Sequence, residues 1–142
     1  MSNNTLIYLL IFAVTVMLAL VGLNTIGYWD SPLSQTYLDK NDVRGIEIEY
    51  NKKLWTLNFE QQNKVIDILN SSIATNEYFS PEKSNFDKLI IYHFNKPDIV
   101  VTPLRQVNNQ LVFSVPEWNQ KGNLKESQAG SLQAVLSQTY DP

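Results

Sequence analysis

The sequence predicts an α+β protein: an N-terminal transmembrane helix followed by a small antiparallel-sheet domain, in the order β-β-α-β-β-β-(β)-α with both helices on one face. Three observations carry that prediction. Thr5 to Leu23 runs for 19 residues without a charged side chain. Apolar and polar residues then alternate from Ile46 to Tyr50 and from Trp55 to Phe59, the period of a strand with one wet face. The period switches to that of a helix over Val65, Ile66 and Leu69, and again over Leu132, Val135 and Leu136.

The apolar run leads the chain. At 1.5 Å per residue a helix of this length reaches roughly 28 Å, close to the ~30 Å hydrocarbon thickness of a bilayer, so membrane lipid is the expected surrounding of residues 5–23. A cleaved signal peptide fits less well, because Lys and Arg are missing ahead of the run, the run exceeds the usual apolar core, and no A-x-A site follows. Residues 1–28 therefore read as a retained anchor. Tyr8, Phe12, Thr15, Ala19 and Gly22 recur at spacings of four and three and share one side of the helix, which tapers from bulky to small. This stripe is the candidate face for packing against a partner's transmembrane helix or a second copy. Lys40 and Arg44 follow the anchor closely, and a count of positive charges alone would place the domain inside, but both lie among Asp30, Asp39 and Asp42, so the signal is faint. A lone N-terminal anchor ahead of a cysteine-free domain favours an extracytoplasmic placement of that domain.

Tyr28 and Trp29 sit where amphipathic rings meet lipid headgroups. Residues 29–42 hold Pro32 and no apolar period, and read as a stalk, with the domain over residues 43–142. Ile46, Ile48 and Tyr50 form the first strand. Asn51-Lys52-Lys53 turns it into a second with Trp55, Leu57 and Phe59. Asn58 and Gln61 fit a capping box opening a helix over about 59–72, on whose apolar side Ile73 is also expected. The stretch from Thr75 to Asn85 is a loop. Phe86 to Phe94 does not alternate cleanly, since Ile90, Tyr92 and Phe94 take one face and Leu89, Ile91 and His93 the other. A strand buried on both faces is expected there, which makes Ile91 a candidate for contact with a partner. Asn95 to Asp98 and Asn108-Asn109 are turns that make a three-strand meander through Ile99–Val107 and Leu111–Val115. A short strand over Asn123 to Glu126 precedes a final helix, expected to be capped by Ser127 and to include Ala129.

Composition excludes several functions. With a net charge of −3 and Lys52-Lys53 as the only basic pair, no nucleic-acid partner is expected. The absence of cysteine removes disulfides, thiolate metal sites and thiol nucleophiles. His93 is the single histidine, and a metal or acid–base centre needs several convergent groups, so neither metal nor cofactor is expected. Asp98 and Glu117 are candidate paired carboxylates, but both adjoin prolines at turns, where acidic residues are common. No glycine-rich phosphate loop or G-x-S-x-G context occurs. Asn70-Ser71-Ser72 and Asn3-Asn4-Thr5 are formal glycosylation sequons of a kind that arise by chance in an Asn-rich chain. Trp118 in Pro-Glu-Trp-Asn is the most suggestive loop residue: it is expected to close the end of the core, with a partner or ligand contact as the alternative. The expectation is a single-pass, non-enzymatic accessory or scaffolding subunit whose domain contacts other proteins of a membrane assembly. The alternative is a tethered module for a small ligand, a lipid or a cell-envelope polymer.

Overall fold

The computed structural model describes residues 3–25, 36–75, 77–118 and 122–140. The chain divides into two units, Met1–Leu33 and Ser34–Pro142.

The first unit holds helix α1, Asn3–Thr25. Its apolar side chains point outward on every side: Leu6, Ile7, Leu10, Phe12, Met17 and Leu18 are all exposed. Among the described residues no helix is long and apolar enough to cross a membrane. The continuous stretch of α1 whose side chains are described, Asn4–Ala19, covers sixteen residues, about 24 Å at 1.5 Å each, against ~30 Å of hydrocarbon. The side chains of Leu20, Gly22 and Leu23, needed to complete the expected span, lie outside the description, as do Tyr28, Trp29 and the first part of the expected stalk.

The second unit is an α+β fold built on one seven-stranded antiparallel sheet. Its strands are β1 (Val43–Tyr50), β2 (Lys53–Thr56), β3 (Ile73–Thr75), β4 (Lys88–His93), β5 (Ile99–Val107), β6 (Gln110–Ser114) and β7 (Asn123–Lys125), in the order β2-β1-β4-β5-β6-β7-β3. Two of its hairpins close through two-residue turns with positive φ at both positions, Asn51-Lys52 and Asn108-Asn109. That is the turn whose twist matches the strands it joins, and asparagine tolerates it best among residues bearing a side chain.

The register aligns the core in rows. Ile46 lies opposite Ile91, which lies opposite Ile99; Ile48 lies opposite Leu89, which lies opposite Val101. These buried rows belong to one apolar cluster with Val65, Ile66 and Leu69 of helix α2 (Phe59–Asn70) and Leu132, Val135 and Leu136 of helix α3 (Ser131–Tyr140). The capping box is present: Asn58 Oδ1 accepts from Gln61 N and Gln61 Oε1 from Asn58 N, both at 2.9 Å.

Five expectations are corrected. The second strand does not run to Phe59 with one wet face: β2 stops at Thr56 with all four residues exposed, Leu57 beyond it is buried, and Phe59 is the exposed first residue of α2. The β4 strand is not buried on both faces, because both helices pack on the Leu89–Ile91–His93 side; Ile90 and Tyr92 are half-buried and Phe94 is exposed. Ile73 does not continue α2, which ends when Ser71 N bonds back to Asp67 O, and instead opens edge strand β3 against β7. The domain begins earlier than Val43. Leu38 is enclosed in the core, its N–H donating to Asn70 Oδ1 at 2.8 Å and its carbonyl accepting from Asn70 Nδ2 at 2.9 Å. Helix α3 starts at Ser131, after Gly130 at φ 70°, so Ala129 precedes it and Ser127 does not cap it.

The capping group is Glu126, the most deeply buried charged residue among the described residues, 1 % exposed. Its Oε1 accepts from Leu132 N at 2.6 Å and Ser131 Oγ at 3.2 Å, and its Oε2 from Leu111 N at 2.7 Å. One carboxylate thus satisfies the amide end of α3 and fastens it to β6.

Candidate functional site

The residues singled out in the sequence fall in different places. Ile91 is fully enclosed in the helix-covered core and offers no surface; the open face of its strand carries Ile90 and Tyr92 instead. Trp118 ends a 3-10 turn, Pro116–Trp118, packs against the core and stacks on Tyr37 with ring centroids 4.4 Å apart. Burial pushes the Tyr37 phenol above its ordinary pKa of 10.0. Asp98 and Glu117 each serve backbone, accepting from His93 N and Val100 N at 3.3 Å. His93 is buried, and its Nδ1 has no hydrogen-bond partner among the described residues. In α1, Tyr8 and Phe12 are exposed, and Thr15 donates its hydroxyl proton to Ile11 O of the same helix at 2.8 Å. Ala19 is exposed, and the side of Gly22 lies outside the description. Among the described residues no group of three or more His, Asp or Glu is placed to hold a metal ion.

Two features emerge that the sequence reading did not single out. The first is the β2 edge of the sheet. All four residues of this strand are exposed, and Leu54, Trp55 and, just beyond, Phe59 present large apolar side chains within six residues, Phe59 at 79 % exposure. An edge strand with its outer N–H and C=O groups unpaired is a template for another strand.

The second is a cleft of about 790 Å³ beside α3. Its outer wall is the stretch between Pro81 and Asp87, held at both ends by backbone hydrogen bonds: Glu82 N to Leu104 O at 2.6 Å and Asp87 N to Glu49 O at 2.8 Å. The first of these depends on an irregularity in β5. Pro103 pairs with Phe113 and Arg105 with Val112, so Leu104 is skipped in the register and its carbonyl accepts from the crossing segment. Arg105 reinforces the join through Glu82, Nη2 to Oε1 at 3.2 Å, and lies 5.3 Å from the centre of the Phe79 ring. Tyr50 and Tyr140, stacked with centroids 4.3 Å apart, line the cleft together with Gln133 and Ser137 of α3. A smaller cavity of about 220 Å³ adjoins it and shares Glu82, Asn85 and Gln133.

On the open sheet face Tyr92 donates its phenol proton to Glu47 Oε2 at 2.8 Å, and Arg44 lies 5.5 Å from the Tyr92 ring centre. The hydrogen bond to Glu47, followed by burial and neighbouring carboxylates, raises the Tyr92 pKa above 10.0. The second unit is thus a small α+β domain whose β2 edge carries exposed large apolar side chains and which has a cleft beside α3, and an apolar helix precedes it in the chain. Comparison with protein-family models, curated proteins and solved structures gives no match.

Proposed function

We propose that this chain is a single-pass, membrane-anchored accessory protein, non-enzymatic, whose α+β domain docks a partner protein of a membrane assembly from the extracytoplasmic side. The observation that carries the reading is α1, which presents Leu, Ile, Val, Met and Phe side chains outward all round its described length. A helix apolar on every side needs an apolar surrounding, and the uncharged run to Leu23 suits a bilayer better than a water-facing surface. The β2 edge supports the second half of the reading: an added partner strand would gain main-chain hydrogen bonds, with Leu54 and Trp55 on opposite faces to select it.

The test joins two measurements. Membranes carrying the full chain are extracted with alkaline carbonate, and a photo-crosslinking residue is placed in turn at Leu54, Trp55 and Phe59. Retention in the pellet together with a discrete adduct supports the proposal. Release into the supernatant removes the anchor, and an absence of adducts from Leu54, Trp55 and Phe59 alike removes the edge as the docking element.

A second reading is favoured by the cleft: a tethered module that takes a small ligand or a cell-envelope polymer. Its volume lies within the roughly 300–1,000 Å³ usual for ligand sites.

A further inference from the structure

We infer that the cleft between residues 81–87 and α3 is a binding site for a neutral saccharide. This rests on the second reading, that the domain takes a ligand in this cleft, and is independent of docking at the β2 edge.

The lining decides the class by elimination and then by fit. An anion requires convergent cations. Lys83 is the one lysine of the cleft, set between Glu82 and Asp87, while Arg105 in the adjoining cavity is paired with Glu82. A cation requires convergent free carboxylates, and here Glu82 is engaged by Arg105 and Asp87 Oδ2 accepts from Lys52 N at 3.3 Å. An acyl chain requires a continuous apolar wall, whereas Asn51, Asn85, Gln133, Ser137 and Thr102 interrupt it throughout.

What remains is a ligand that is uncharged, rich in hydroxyls and apolar on one side. A pyranose ring has that form, with an axial C–H face that packs on an aromatic ring and an equatorial rim of hydroxyls that donate and accept. The Tyr50–Tyr140 pair supplies aromatic surface on which an apolar sugar face can rest. Side-chain amides suit the hydroxyl rim, because each offers a donor and an acceptor that can serve both roles of one hydroxyl. Asn51 and Asn85 both line the cleft and are exposed. Gln133 Oε1 already accepts from Gln106 Nε2 at 3.0 Å, which fixes its amide and leaves the NH2 as the donor for a ligand. The smaller cavity shares Glu82, Asn85 and Gln133 with the cleft, so an oligosaccharide seated there would meet lining common to both.

The experiment uses the full chain in a polyoxyethylene-headgroup detergent, because a maltoside headgroup is itself a sugar. Side-chain amide resonances of Asn51, Asn85 and Gln133 are followed by NMR while maltotriose, cellotriose, triacetylchitotriose and, separately, inorganic phosphate are added. The expected result is a saturable shift of these amides with at least one trisaccharide, with a Kd of about 1 mM, as befits an open polar site. The variant carrying Asn85→Ala and Gln133→Ala, both at exposed positions, should bind that trisaccharide about tenfold or more weakly while keeping its near-UV circular dichroism. An undiminished affinity in this variant overturns the assignment of the cleft. Shifts with phosphate and none with any trisaccharide overturn the saccharide while leaving a ligand in the cleft. No saturable shift with any probe overturns both.

Discussion

Removing the Glu126 carboxylate should be the most damaging single polar change in the domain, and its cost can be worked from three contacts. The buried N–H groups of Leu111 and Leu132 each lose their acceptor, whereas Ser131 Oγ retains Gln128 O at 3.0 Å. Each orphaned buried donor costs about 1–3 kcal/mol, so Glu126→Ala should destabilise by roughly 2–6 kcal/mol before any term for the void. Glu126→Gln is graded. Its single carbonyl oxygen serves the Leu132 and Ser131 donors, and its NH2 is left against Leu111 N–H, one donor facing another. The cost is then the loss at Leu111, about 1–3 kcal/mol. Thermal unfolding followed by near-UV circular dichroism reads the difference, at roughly 4–8 °C per kcal/mol for a domain of this size. If Gln proves as harmful as Ala, the division into separate acceptors is wrong. If Ala falls within about 0.5 kcal/mol of the parent, the carboxylate does not hold α3 to β6 at all.

Three further outcomes follow from the geometry. Ile91→Lys should unfold the domain, since an ammonium in the helix-covered core costs several kcal/mol against a total stability of about 5–15, whereas Ile90→Lys on the open face should remain folded; equal tolerance in soluble yield and circular dichroism would contradict the assigned faces. Lys52→Gly should stabilise by about 0.5–1 kcal/mol in urea unfolding, because Lys52 sits at φ 62° in a turn that prefers Asn-Gly, and a loss of stability would show that the lysine side chain matters more than its backbone. For Tyr92 the folded pKa is raised, so the stability its phenol contributes is complete below about pH 10 and lost as pH rises through the raised value; Glu47→Gln should bring the phenol's ultraviolet titration back towards 10.0, and an unchanged titration would remove Glu47 as the cause.

The strands and helices were legible where one face is wet and the other dry. Ile46–Tyr50, the capping box at Asn58 and both asparagine turns express local rules, and the structure follows them. Local rules failed where a choice depended on a distant element. The period of Ile90 to His93 does not say which side the helices will take, and only the shared cluster with α2 and α3 decides that Ile91 is core and Ile90 is not. Ile73 fits the apolar stripe of α2 by spacing, yet the chain leaves the helix to reach β7, a strand some fifty residues further on. Leu38 lay in a stretch without apolar period, and a lone leucine gives no hint of the Asn70 amide that brackets it.

The cleft was illegible for a related reason, since it gathers the end of β1, the approach to β4, part of β5 and one side of α3. One signal for it was nevertheless present. In β5 the alternation of buried and exposed residues slips at Pro103 and Leu104, both buried, and a one-residue slip sends all that follows to the opposite face. A proline inside a strand otherwise suited to the sheet interior marks such an irregularity, because it has no N–H to give the ladder. The slip frees the carbonyl of Leu104, that carbonyl receives Glu82, and Glu82 holds the wall behind which the cleft opens. The feature that spoils the pattern of a regular strand is therefore what fastens the wall of the concave site beside α3, and Pro103 is where the sequence announces it.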